Sequence, residues 1–174
     1  MTGTAAGSGT GSTVRRGVSR AERVGLAIQR QLDRRLAPLG IWAYRRTRGG
    51  ITRPWHVDAL LLTTRGRRSG RVRTVILEFF RDGDTMVLAA SNDGGATHPG
   101  WYFNLMAHPT ARVEVMGRRL TVRATELTAA EAAAFWPRIP ARDPSYERYI
   151  RATDRTIPLV RLVPVDGEAR PAAR

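Results

Sequence analysis

The stretch VDALLLTTRGRRSGRVRTVILEFFRDGDTMVLAAS, residues 57–91, holds three extended segments separated by two turns. Residues 57–64 form the first strand, and Leu60, Leu61 and Leu62 run too continuously for a sheet with one wet face. GRRSG, residues 66–70, is a turn. Residues 71–81 are rich in β-branched and aromatic side chains, which suit a pleated, half-buried surface. Asp82-Gly83 is a hairpin signal, and residues 85–91 are the return strand.

Outward from this core, NDGGATHPG is a long glycine loop, and WYFNLMAH reads as a short helix ended by Pro109. Residues 111–116 and 118–127 form a second hairpin around Gly117. Thr128 and Glu131 have capping-box spacing and open a helix over AAEAAAFW. A further short helix follows Pro144, and residues 157–163 are a last strand. About six strands result, joined by hairpins and not alternating regularly with helices. This predicts an α+β protein built on a mainly antiparallel barrel with flanking helices, and argues against a doubly wound parallel sheet.

Residues 1–18 are Gly, Ser, Thr and Ala with few apolar residues, and are expected to be a disordered tail. Ser19 and Glu22 form another capping box. Val24, Ile28, Leu32 and Leu36 recur at i+4, predicting an amphipathic helix over residues 19–40, closed by Pro38 and Gly40. The barrel domain spans residues 55–165, and residues 166–174 are a polar tail.

The chain of 174 residues fits one domain. It carries 29 basic residues, all Arg, against 15 acidic ones, a net charge of +14. There is no Cys, which excludes a disulfide framework, a Cys-ligated metal centre and a thiol nucleophile. No apolar run reaches the ~18 residues of a membrane span, and the first residues do not read as a secretory signal. The expectation is a soluble cytoplasmic protein with an anionic partner. His56, His98 and His108 show no metal spacing, so no metal site is predicted. No G-x-G-x-x-G follows the first strand, which leaves a dinucleotide site unsupported.

Two constellations carry chemistry. Residues 65–73 contain five arginines, and guanidinium forks match phosphate and carboxylate oxygens. A solvated basic turn explains the same residues. Residues 90–105 pass from strand end through glycine loop to helix start, where free amides suit an oxygen-rich group. Trp101 offers a flat surface and Asn104 an amide, although a long surface loop with an aromatic anchor reads equally well. Tyr146 and Tyr149, at i and i+3, either wall a substrate pocket or pack half-buried on the barrel.

LLLTTRGRRSGRVRT (60–74), ASNDGGATHPGWYFNLMAHP (90–109) and RATDRTIPLVRL (151–162) together resemble the deazaflavin-dependent nitroreductase family of actinobacteria. The resemblance covers about residues 55–164. It implies a split β-barrel related to flavin-binding, pyridoxamine phosphate oxidase-like proteins, with coenzyme F420 as cofactor. It implies that Arg67, Arg68, Ser69 and Arg73 hold the phosphate and oligoglutamate tail. Thr74, Val75, Ile76 and Leu77 would run along the deazaflavin ring. Ala89, Ala90, Ser91 and Asn92 would meet the ring and its side chain, as would His98, Pro99, Gly100, Trp101 and Asn104. Tyr146 and Tyr149 would face the substrate, with Tyr146, Ser91 or a bound water polarising the acceptor oxygen. Three positions depart from the pattern: Asn92 replaces a frequent Lys, Arg65 a frequent Thr, and Asp143 stands where some nitroreducing members carry Tyr.

The implied activity is hydride transfer from reduced F420 to a quinone, enone or nitroaromatic. An FMN-binding oxidoreductase of the same barrel class and a basic nucleic-acid-binding module are the competing readings. The predicted helix over 19–40 fits either a membrane surface or the outside of the barrel. Monomer and homodimer both remain open.

Overall fold

A computed structural model describes residues 25, 36–55 and 58–165. The expected tails at 1–18 and 166–174, the capping box at Ser19, and most of the 19–40 helix lie outside the described residues.

Seven strands form one antiparallel sheet: β1 (Ala59–Arg65), β2 (Val72–Glu78), β3 (Phe80–Asp82), β4 (Thr85–Ala89), β5 (Thr110–Val115), β6 (Arg118–Glu126) and β7 (Leu159–Pro164). Their order is β2-β1-β5-β6-β7-β4-β3. The two outermost strands, β2 and β3, are consecutive in sequence and joined only through Phe79. The sheet therefore curls into a barrel whose seam is covalent and not hydrogen-bonded, in agreement with the expected split barrel.

That seam corrects the single strand expected over 71–81. Phe79 and Phe80 are both buried, at 3% and 6% exposure. An unbroken strand would turn one of them outward. The bend sends Phe79 into the barrel interior, where it joins Leu60, Leu62, Leu88, Val113 and Leu162. Phe80 instead packs outside, against Phe135, Ile139 and Tyr146. The Phe79 amide donates to the Asp58 carbonyl at 2.8 Å, continuing the β1–β2 ladder, before β3 turns to pair with β4.

Helices cover the outer faces: α1 over 36–46, α2 (Gly100–Ala107), α3 (Ala129–Phe135), α4 (Arg138–Arg142) and α5 (Ser145–Ala152). This explains the continuous leucines of β1. Leu60 and Leu62 face the interior, while Leu61 lies under Tyr44 of α1. The expected helix end at Pro38 and Gly40 is wrong, because α1 continues to residue 46. Tyr44 carries it onward: its hydroxyl donates to the carbonyls of Ala59 at 2.7 Å and Glu114 at 3.2 Å. Gly49, at φ +84°, then turns the chain away. The box of Thr128 and Glu131 forms as read, with Thr128 N–H donating to Glu131 Oε2 at 2.9 Å and Glu131 N–H to Thr128 Oγ1 at 3.3 Å. Helix α4 had no sequence signal of its own.

Candidate active site

The glycine loop dictates the site. Asn92, Asp93 and Gly94 take φ of +48°, +50° and +71°, three consecutive left-handed residues. Asn, Asp and Gly are the residue types that tolerate this region. The resulting knot lets Gly94 touch the backbone of α5 directly, so Tyr146 and Tyr149 come over the end of β4. Arg155 locks the loop from below. It donates to the carbonyls of Gly95 at 2.9 Å, Ala90 at 3.1 Å and Ser91 at 2.6 Å.

Asn104, on α2, locks the other side. Its Nδ2 donates to Thr64 Oγ1 at 3.0 Å, and its Oδ1 accepts the Arg67 amide at 3.1 Å. The arginine turn is thereby fixed against α2, and Arg67 lies over the Phe103 ring at 4.2 Å. Gly66 and Gly70 close the turn, the Gly70 amide donating to the Gly66 carbonyl at 2.8 Å.

Between turn, loop and α5 lies a cavity of about 850 Å³, within the usual size of a small-molecule site. Its floor is β2, through Val75, Ile76 and Leu77. This strand keeps large apolar area open to water, with Val72 at 73% and Ile76 at 36% exposure. Ser91, Asn92, Pro99, Gly100, Trp101 and Asn104 form one wall. Tyr146, Tyr149, Glu78 and Asp143 form the opposite one, and Leu36, Ala37 and Gly40 of α1 stand at the rim. Arg73 and Ala89, also expected at a cofactor, belong to the same lining.

Six of the expected residues stand apart from this wall. Arg67, Arg68 and Ser69 occupy the exposed turn beyond it, where a tail and not a ring would reach. Thr74 spends its hydroxyl on Thr63 at 3.0 Å. Ala90 is fully buried in the barrel interior. His98 meets Arg155 Nη1 through Nδ1 at 2.8 Å; arginine only donates, so Nδ1 accepts and the ring is neutral. Burial and the Arg155 charge both lower its pKa. Thr74, Ala90 and His98 are thus absent from the cavity lining and are held by contacts within the protein.

Electrostatics divide the cavity into two ends. Among the described residues, Asp58, Asp82, Glu114, Glu131 and Glu147 form ion pairs with Arg45, Arg81, Arg119, Arg138, Arg142, Arg151 and Arg161, and none of these pairs involves the five arginines of 65–73. The turn is the basic end of the cavity. The far end is acidic. Burial, together with the adjacent Asp143 carboxylate, pushes Glu78 up to about 7. Tyr146 is buried and raised well above its ordinary value, first by desolvation and then by Glu78 and Asp143, so it remains a donor. Glu78, Asp143 in this role, and Arg155 were missed by sequence reasoning. The one available signal was a lone carboxylate inside VILEFF, where an unpaired buried charge is rare.

The residues fit a flat, apolar ring on β2 and Trp101, with an anionic tail at the arginine turn. Residues 38–164 match the family described as F420H(2)-dependent quinone reductase. The F420H(2)-dependent quinone reductase Rv1261c of Mycobacterium tuberculosis is 33% identical over 140 residues, covering 78% of this chain and 94% of the relative. A solved F420-H2 dependent reductase, FDR-A, is 34% identical with a TM-score of 0.55, covering 60% of this chain and 93% of the other. A second solved chain, described as a domain-swapped dimer, is 32% identical with a TM-score of 0.56, covering 71% and 96%. On this sequence match and this barrel, the chain belongs to the F420H(2)-dependent quinone reductase family.

Proposed function

We propose that this cavity binds reduced F420 and passes its hydride to a quinone. The observation that carries the reading is the pairing of an exposed five-arginine turn with an open apolar strand across one cavity. The bound deazaflavin supplies the hydride. The chain's own residues bind, orient and exclude water. Val75, Leu77 and Trp101 give the ring its apolar support. Arg67, Arg68 and Arg73 hold the phosphate and carboxylates of the tail. Ser91 and the Tyr146 hydroxyl orient the acceptor oxygen, Tyr146 as a buried donor. Tyr149, at 5.4 Å centroid distance, holds the Tyr146 ring edge-on.

A fluorescence titration comparing F420 with FMN tests this. The expected result is saturable F420 binding with FMN weaker; tighter FMN binding would move the chain to flavin chemistry. Arg68→Ala should weaken F420 by about 1–2 kcal/mol, and less at high salt, because the contact is exposed and screened. The same variant should leave binding of a tail-free deazaflavin unchanged.

The acceptor side of the proposal includes a lipid-soluble quinone. Leu36, Leu39 and Trp42 on α1 are 54%, 63% and 62% exposed, beside the cavity rim. Such a face suits the surface of an anionic bilayer, where the quinone partitions. Among the described residues no helix is long and apolar enough to cross a membrane. Leu39→Gln with Trp42→Gln should reduce cosedimentation with anionic liposomes several-fold while leaving reduction of water-soluble menadione intact. Equal sedimentation of both proteins would remove the membrane from the account.

A further inference from the structure

Hydride transfer to a quinone leaves one requirement unmet: the acceptor oxygen also needs a proton. Ser91 and the two tyrosines are poor sources. Desolvation raises both tyrosines, so neither releases its proton easily. The cavity contains a better one. Glu78 ends β2, the strand that forms the cavity floor, and Asp143 precedes α5, so a bend of the sheet and a helix start bring two carboxylates 65 positions apart onto the same cavity, beside Tyr146 of α5. Asp143 is pinned independently: its Oδ1 accepts the Ser145 amide at 2.9 Å and its Oδ2 the Ser145 hydroxyl at 2.8 Å. All three side chains line the cavity.

We propose that Glu78 is the proton donor of the reaction, passing its proton to the acceptor oxygen at the Tyr146 end of the cavity. This rests on the functional reading above. The balance closes: the acceptor gains a hydride with its two electrons from the reduced cofactor, an O–H bond forms on the acceptor as the Glu78 O–H bond breaks, and water returns a proton to Glu78. Burial raises the Glu78 pKa most and the neighbouring Asp143 raises it further, to about 7, so Glu78 keeps its proton up to near neutral pH. Tyr146 of α5 and Arg142 of α4 pull the other way, and Arg142 also bonds Asp58 at 3.2 Å. Asp93 and Tyr149 reach the cluster through Tyr146.

The test uses the full chain with F420H2 and menadione. Wild-type turnover should fall as pH rises through about 7. Glu78→Gln keeps the shape and the hydrogen bonds but has no proton to give. Its kcat should fall by about a hundredfold or more, with F420 affinity unchanged and the alkaline limb gone. Asp143→Asn removes the like charge, so the alkaline limb should move to lower pH. Infrared difference spectra of the protein without substrate give a readout besides turnover: a protonated-carboxyl C=O band that titrates near neutral pH and is absent in Glu78→Gln. Equal kcat and pH profile in Glu78→Gln and wild type would overturn the proton assignment alone. Failure of the wild-type protein to bind F420 would overturn the functional reading instead.

Discussion

Gly94→Ala is expected to destabilise the protein by about 3 kcal/mol, combining overpacking with the left-handed backbone penalty. A Cβ there would lie 2.6 Å from the Ala152 Cβ, 3.0 Å from the Tyr149 carbonyl and 3.2 Å from the Tyr149 Cα. Two of those atoms are helix backbone, which cannot swing aside like a long side chain. The clash pushes α5 off the loop, and α5 carries Tyr146 and Tyr149. Thermal unfolding should drop by about 10 °C, and turnover should fall more than F420 affinity, because the tail-binding turn is far from the clash. Gly83→Ala separates the two components. Gly83 has φ +58° but open space around it, so only the backbone penalty of about 1 kcal/mol applies. Equal losses at the two positions would show that α5 does not lean on Gly94.

Arg155→Ala is expected to cost about 2–3 kcal/mol of stability and tenfold or more in F420 affinity, since hydrogen bonds to charged donors contribute about 1.5–3 kcal/mol each. One guanidinium holds the carbonyls of Ala90, Ser91 and Gly95 and the His98 ring. Its removal frees the loop that brings Ser91 and Asn92 to the cavity. Water can reach part of this group, which keeps the loss well below the sum of the separate bonds. Arg155→Lys should recover less than half, because an ammonium cannot span carbonyls on both sides as a planar fork does. Urea unfolding and an F420 titration measure the two losses. An Arg155→Ala protein with wild-type affinity would mean that the loop needs no lock.

The strands, the arginine turn and the glycine loop were legible because their signals are local: apolar runs, turn glycines, a capping box. What escaped was set by contacts distant in sequence. Pro38 and Gly40 read as a helix end, but Tyr44 anchors the helix to carbonyls 15 and 70 residues away. Residues 71–81 read as one strand because nothing in VILEFFR shows that Phe79 and Phe80 bury on opposite sides of the sheet. Glu78 and Asp143 are unremarkable apart, and only the barrel seam and the start of α5 make them a pair. Most residues that the resemblance assigned to cofactor or substrate line the cavity, yet it could not tell Trp101, which does, from His98, which meets Arg155 instead. The strong positive charge is likewise sharpened: most acidic partners lie elsewhere on the surface, and the turn at 65–73 groups five arginines outside those ion pairs at one end of the cavity.

Mixing the purified protein with F420H2 and menadione without oxygen, and following the return of oxidised-deazaflavin fluorescence, reads hydride transfer itself. Oxidation should require both protein and menadione, saturate with F420H2, and not be supported by reduced FMN. No protein-dependent oxidation of F420H2, or turnover with reduced FMN in its place, would contradict the proposed function.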